Sequence, residues 1–187
     1  LEYSIARPFN CVGIGEVKAT SSDQNSKNLT LSHVVPDLIL KTLNSKDSIE
    51  ILGNGNQIRH YTYGEDLAEG IVLLLDHPNA KNEDFNLSTS ESTNVLELAE
   101  LVWKKLKPDE DFKYVSVDPY EYDVQKRIPS TEKAKKMLGF EAKTSLDKML
   151  RRVSSREEKN WDYVLYSTMI KNNCYSIMPK YNLIRNI

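Results

Sequence analysis

Two runs of strand-forming residues flank a glycine-rich turn near the middle of the chain. Ile49-Glu50-Ile51-Leu52 leads into Gly53-Asn54-Gly55-Asn56, and Ile58-Arg59-His60-Tyr61-Thr62-Tyr63 comes next. Asn-Gly is a strong signal for a tight turn, and the β-branched and aromatic residues beyond it favour extended backbone. The expectation is a β-hairpin with Arg59 near the start of its second strand. An arginine there can aim a planar fork of donors at a phosphate. It can equally be an exposed strand arginine paired with a carboxylate.

Around this feature strands alternate with amphipathic helices. Residues 3–9 read as a short strand ending in a loop. Val34, Val35, Leu38, Ile39 and Leu43 share one face of a helix over 34–43. Ser32 is its expected cap, and Pro36 sits in the first turn, where a missing N–H costs little. The segment 65–75 reads as a helix with Glu65 and Asp66 at its positive end. Phe85-Asn86-Leu87-Ser88 is a short strand. Asn94 caps a helix that buries Val95, Leu98, Leu101 and Val102. Residues 112–117 alternate like a strand, residues 131–138 form a helix stopped by Gly139, and Ser145 caps a helix over 146–153. This order predicts α/β or α+β architecture. Residues 20–28 are a polar loop. Beyond residue 153 the pattern breaks, so 154–187 stand as an unassigned tail.

The whole sequence has 187 residues, a formal charge of -2 and 28% charged residues. That suits one domain or two small lobes, and it lacks the basic footprint of a nucleic-acid binder. Cys11 and Cys174 fit no metal or redox spacing, which points to a reducing cytoplasm. The longest apolar run, residues 71–75, falls short of the ~20 residues of a membrane helix. No signal peptide is visible. Asn28-Leu29-Thr30 and Asn86-Leu87-Ser88 match the glycosylation pattern, which carries little weight in a chain read as unsecreted.

A series of short motifs adds to this reading. Arg7-Pro8-Phe9-Asn10 with Gly13, then His33-Val34-Val35-Pro36, then residues 53–68 from Gly53 to Ala68 occur in order. Phe85-Asn86-Leu87-Ser88, Asp123-Val124-Gln125-Lys126-Arg127-Ile128-Pro129, Lys133-Ala134 and Leu138-Gly139-Phe140 complete it. The series resembles the extended short-chain dehydrogenases/reductases, specifically the NAD-dependent nucleotide-sugar epimerases and dehydratases. It resembles their C-terminal portion alone, over residues 3–153.

The resemblance implies a partial NAD-binding Rossmann-type sheet, of which only the C-terminal strands are present, plus a small α/β substrate lobe, interleaved through 1–153. In that family a glycine fingerprint holds the cofactor pyrophosphate at a helix N-terminus. A Tyr-x-x-x-Lys pair removes a sugar hydroxyl proton as hydride passes to NAD. Gly13-Ile14-Gly15 and Gly53-Asn54-Gly55 lack the third glycine. Tyr122-Asp123-Val124-Gln125-Lys126 matches the catalytic pair by letter but falls in the substrate-lobe signature. No catalytic residue is therefore nominated. The chain also starts without Met, so the expectation is a fragment of a longer enzyme that is inactive by itself. NAD and a nucleoside-diphosphate sugar are the implied ligands of that parent. A homodimer of the parent stays open.

By position, the resemblance puts Pro8 and Phe9 near the nicotinamide, where an apolar wall would exclude water. It puts Asn10 on the sugar diphosphate, His33 and Val34 along the base, Arg59 on a phosphate and Asp123 on ribose hydroxyls. Ordinary roles remain open beside these: strand-end packing for Pro8 and Phe9, a turn for Asn10, a helix start for His33, packing for Tyr61. Some members carry a second phosphate-binding arginine three residues before the aspartate, where this chain has Tyr120. Arg127 stands nearby as a substitute. Ser130 stands where many members have aspartate, and either can cap the next helix. The alternative from a different class is a non-catalytic module that binds a nucleotide sugar or a partner protein.

Overall fold

The computed structural model describes residues 2–13, 33–119 and 121–154. The expectations for the 20–28 loop, the Ser32 cap, Asn28, Tyr120, Cys174 and the 155–187 stretch lie outside them.

The described chain runs β1 (Ser4–Pro8), β2 (Cys11–Val12), α1 (Val34–Asn44), β3 (Ile49–Leu52), β4 (Ile58–Arg59), β5 (Thr62–Tyr63) and α2 (Gly64–Asp76). It continues through β6 (Glu83–Leu87), β7 (Thr93–Asn94), α3 (Val95–Leu106), β8 (Tyr114–Val117), α4 (Glu132–Leu138) and α5 (Leu146–Ser154). The strands make four two-stranded ladders: β1 with β6, β2 with β5 and β3 with β8 run parallel, and β4 with β7 runs antiparallel. Parallel pairs need crossover connections, and the intervening helices supply them. The α/β expectation holds.

The hairpin does not form. β3 pairs with β8 in the register Ile49 to Tyr114 through Leu52 to Val117. The expected single strand over 58–63 is split, β4 pairing with β7 and β5 with β2. The turn residues do adopt the conformation that glycine permits, φ 65° at Gly53 and 72° at Gly55. Their hydrogen bonds, however, run outward: the Gly53 N–H donates to Val117 O at 2.8 Å, and Gly55 O accepts from Leu96 N–H at 3.0 Å. A Cβ on Gly55 would stand 3.0 Å from the Leu96 Cβ. The segment is a packed corner between β3 and the start of α3. Local turn chemistry permits the reversal, and the pairing partner is set elsewhere.

The helix termini follow local rules more closely. Asn94 and Glu97 form a reciprocal capping box at α3, with bonds of 2.7 and 3.1 Å. Gly139 closes α4 in the left-handed region at φ 68°. The Ser145 hydroxyl accepts from the Lys148 N–H at the start of α5. Ser130 does not cap α4. Thr131 occupies the cap position without a side-chain bond, and the Ser130 carbonyl accepts from Asn86 Nδ2 at 3.0 Å.

Two apolar clusters result. One gathers α1, β3, α3 and α5 around Trp103, Leu98, Val35, Ile51 and Met149. The other packs α2 and α4 on β6 through Leu67, Phe85, Leu87, Leu138 and Phe140. Gly70 on α2 is required by that second contact: a Cβ there would meet the Phe140 ring at 2.8 Å. Asp66, expected to serve the helix dipole, is buried and accepts from the Thr144 N–H at 2.9 Å, tying α2 to the approach of α5.

Candidate functional site

Beside the first cluster lies a cavity of about 490 Å³, a size that suits a small organic ligand. β2, α1, β3, the 57–61 segment and Asp123 wall it. The apolar side comes from Val34, Val35 and Leu38 on α1 with Ile51 and Leu52 on β3.

Polar character enters from the 57–61 segment. Extended backbone sends alternate side chains to opposite faces. Gln57, Arg59 and Tyr61 line the cavity, while Ile58 and His60 do not. His60 is buried instead against Thr89, its Nδ1 2.9 Å from the carbonyl oxygen.

Arg59 is held from two sides. Its Nη1 donates to Ile58 O at 2.9 Å, and its Nη2 lies 3.4 Å from Asp123 Oδ1. The other Asp123 oxygen accepts from Gln57 Nε2 at 2.8 Å, and the same amide donates to Leu52 O at 3.1 Å. Gln57 thus bridges the end of β3 to the loop that carries Asp123. Ile58 also bonds this loop through its main chain, accepting from Arg127 N–H at 3.1 Å and donating to Gln125 O at 2.8 Å.

Tyr61 is 5% exposed. Burial pushes its phenol up to about 12, against a smaller opposing pull from the Arg59 guanidinium. It therefore stays protonated through the physiological range. Among the described residues neither its hydroxyl nor Gln57 Oε1 has a hydrogen-bond partner, and both atoms are buried.

Of the positions singled out in the sequence, Asn10, His33, Val34, Arg59 and Asp123 all line this one cavity. Asn10 sits at φ 37°, which suits a turn, and its Nδ2 donates to His60 O at 3.2 Å. His33 is the exposed N-cap residue of α1, without a side-chain capping bond. Arg127 is exposed and does not line the cavity. Pro8 is exposed at the end of β1, and the Phe9 N–H donates to Leu87 O at 3.3 Å; neither lines the cavity. Tyr122 is 87% exposed, and Tyr122 to Lys126 is not helical, so the turn of helix that would stack a Tyr-x-x-x-Lys pair is missing there. The motif series contains Gln57 without giving it a role and leaves Tyr61 open to packing. Alternation counted from Arg59 finds both.

The arrangement offers a cation beside an apolar slot, with a carboxylate at one end. It can take an anion attached to a planar group and accept from that group's hydroxyls. Among the described residues no three His, Cys, Asp or Glu side chains gather to hold a metal ion, and no helix is long and apolar enough to cross a membrane.

Comparison with known proteins bears on this site. Residues 4–153 match the family model described as GDP-mannose 4,6 dehydratase. UDP-glucuronic acid decarboxylase 1 of Arabidopsis thaliana is 35% identical over 157 residues, which is 83% of this chain and 32% of that protein. Among solved structures, UDP-glucose 4-epimerase from Thermotoga maritima is 27% identical with a TM-score of 0.64, covering 89% of this chain and 47% of that one. Epimerase Mth375 from Methanothermobacter thermautotrophicus shares the fold at 24% identity and a TM-score of 0.67, covering 88% and 45%. The chain spans about a third of the length of the curated relatives it matches: 32%, 38% and 29% of three of them.

Proposed function

The chain belongs to the family of NAD-dependent sugar-nucleotide epimerases and dehydratases, and on that premise we propose that it supplies the sugar-nucleotide-binding portion of such an enzyme. In this reading residues 1–153 are the C-terminal part of the epimerase/dehydratase domain, and 154–187 are a tail without an assigned role. The ligand is a nucleoside-diphosphate sugar, with UDP-sugars the first to test because the names of the relatives carry them. Arg59 takes a phosphate, Asn10 stands at the sugar diphosphate, the apolar slot beside His33 and Val34 takes the base, and Asp123 accepts from the ribose.

The observation that carries this is the meeting of Asn10, His33, Val34, Arg59 and Asp123, drawn from four separate stretches of sequence, on one cavity. On this reading the family's catalytic Tyr-x-x-x-Lys pair and cofactor fingerprint are contributed by the rest of the parent enzyme. NAD would supply reversible hydride acceptance there. Pro8 and Phe9 would form one apolar wall for its nicotinamide, and the described residues offer no glycine-rich helix start for its pyrophosphate. The compartment proposed is the cytoplasm.

Two measurements test this reading. Calorimetric titration of the chain with UDP-glucose should show saturable binding that Arg59→Met weakens. The coding sequence upstream of Leu1, read with the intact mass of the native protein, should reveal the glycine fingerprint and a Tyr-x-x-x-Lys pair. UDP-glucose binding by a native protein of this mass, with no such sequence upstream, would favour the non-catalytic binding module. Failure to bind any nucleoside diphosphate would remove the reading altogether.

A further inference from the structure

Resting on the reading of the cavity as a nucleoside-diphosphate site, we propose that the Tyr61 hydroxyl is a specificity-determining donor to the distal phosphate of the ligand, one step beyond the phosphate held by Arg59. Strand alternation sets the geometry. Gln57, Arg59 and Tyr61 stand in one row on the cavity face, and the backbone advances ~3.3 Å per residue, so neighbouring members of the row are about 7 Å apart at Cα.

The row has a direction. At the Gln57 end the side chains of Gln57 and Arg59 engage Asp123. At the Tyr61 end the chain is tied to Asn10, whose carbonyl accepts from the Thr62 N–H at 3.1 Å and whose amide donates to His60 O. Asp123, whose carboxylate oxygens accept from Gln57 and Arg59, suits the ribose end. The opposite end, with Asn10 and Tyr61, is left for the second phosphate.

Tyr61 is buried on the cavity wall, and its hydroxyl has no partner among the described residues. Buried hydroxyls are nearly always paired, because leaving one unpaired costs the desolvation of the group with no return. A turn of the Tyr61 side chain that opens the hydroxyl to the cavity would let a phosphate oxygen beside Arg59 end that cost. The phenol stays protonated to about 12 and so keeps a proton to donate at any working pH. Phenylalanine would fill the same space without the donor, so nothing in the packing calls for the hydroxyl.

The test compares UDP with UMP, which lacks the distal phosphate, on the wild-type chain and on Tyr61→Phe, by calorimetric titration at one pH and salt. The expected result is a loss of roughly 10- to 100-fold in UDP affinity, as for a hydrogen bond to a charged acceptor, with UMP affinity held within about twofold. The unliganded variant should also melt higher by ~2–4 °C, since it no longer buries an unpaired hydroxyl. Unchanged UDP affinity, an equal loss for UMP, or a lower melting temperature would overturn the proposal. The last would mean that the hydroxyl already has a partner within the chain. If wild type binds neither UDP nor GDP, the cavity reading itself fails and takes this inference with it. If Arg59→Met loses UDP while Tyr61→Phe keeps it, the cavity reading stands and Tyr61 only packs.

Discussion

Two polar clusters in this molecule are built from similar groups and end up in opposite states. At the cavity, Arg59, Asp123, Gln57 and Tyr61 are largely buried, and two of their polar atoms have no partner among the described residues. On the β1–β6 ladder, Lys133 of α4 reaches Glu83 at 2.8 Å and Asp84 at 3.3 Å, lies 4.8 Å from the centre of the Phe85 ring, and shares Asp84 with Arg7. That second cluster faces water and its charges are mutually satisfied. The hydrogen bond from Lys133 holds Asp84 below the ordinary carboxylate range, and the bond to Glu83 raises Lys133. A cluster saturated at the surface pins α4 to the sheet. One left incomplete in a cavity is, on the proposed reading, completed by the ligand.

The contrast can be broken by substitution. The largest effect is expected at the cavity. Arg59→Met should weaken UDP-glucose by roughly 10- to 100-fold, the worth of charge-assisted bonds, with Arg59→Lys intermediate because it keeps charge and loses the fork. Titration calorimetry reads this, and equal binding by all three proteins would place the anion elsewhere.

Gly70→Ala should act on the other side of the molecule, forcing a methyl into Phe140 and Leu87, 2.8 and 3.1 Å away. Overpacking of this kind costs about 1–3 kcal/mol in chemical unfolding, and the UDP-glucose affinity should not move. A shift in affinity would show that the two apolar clusters are coupled.

Asn94→Ala removes half of the capping box at α3, whose first residue, Val95, lines the cavity. A loss of about 1 kcal/mol in stability is expected, with a smaller drop in ligand affinity than Arg59→Met causes. The smallest effect belongs to Lys133→Met. Exposed ion pairs contribute little, so melting at neutral pH should barely change. Its signature lies in acid. Asp84 has a lowered folded value, so its contribution is present above the ordinary 3.8 and fades as pH falls through the folded value. The variant should flatten that stretch of the acid melting curve, and an unchanged curve would remove Lys133 as the cause.

What could be read in the sequence was local. Asn94 with Glu97, Gly139 and Ser145 act on backbone groups within three or four residues, so spacing alone located α3, α4 and α5. Ordered motifs brought Arg59, Asp123, Asn10, His33 and Val34 forward, and all five line the cavity. The hairpin failed for the converse reason. Gly53 and Gly55 permit a reversal without choosing a partner, and β8, more than fifty positions away, offered β3 a ladder that also buries Ile49 and Ile51. Ser130 failed the same way, its carbonyl engaged by Asn86 while Thr131 took the cap position.

By itself, then, the sequence determined the helices, the caps at Asn94, Gly139 and Ser145, and the family, because each depends on neighbours in the chain or on an ordered series of short motifs. The tertiary structure decided which strands pair, that Asp66 and Gly70 serve contacts between elements, and that Gln57 and Tyr61 share the face of Arg59 with polar atoms unspent. The physical reason is that pairing, close approach and satisfaction of buried polar groups are settled by residues distant in sequence. Their desolvation is defined only once the core has closed around them.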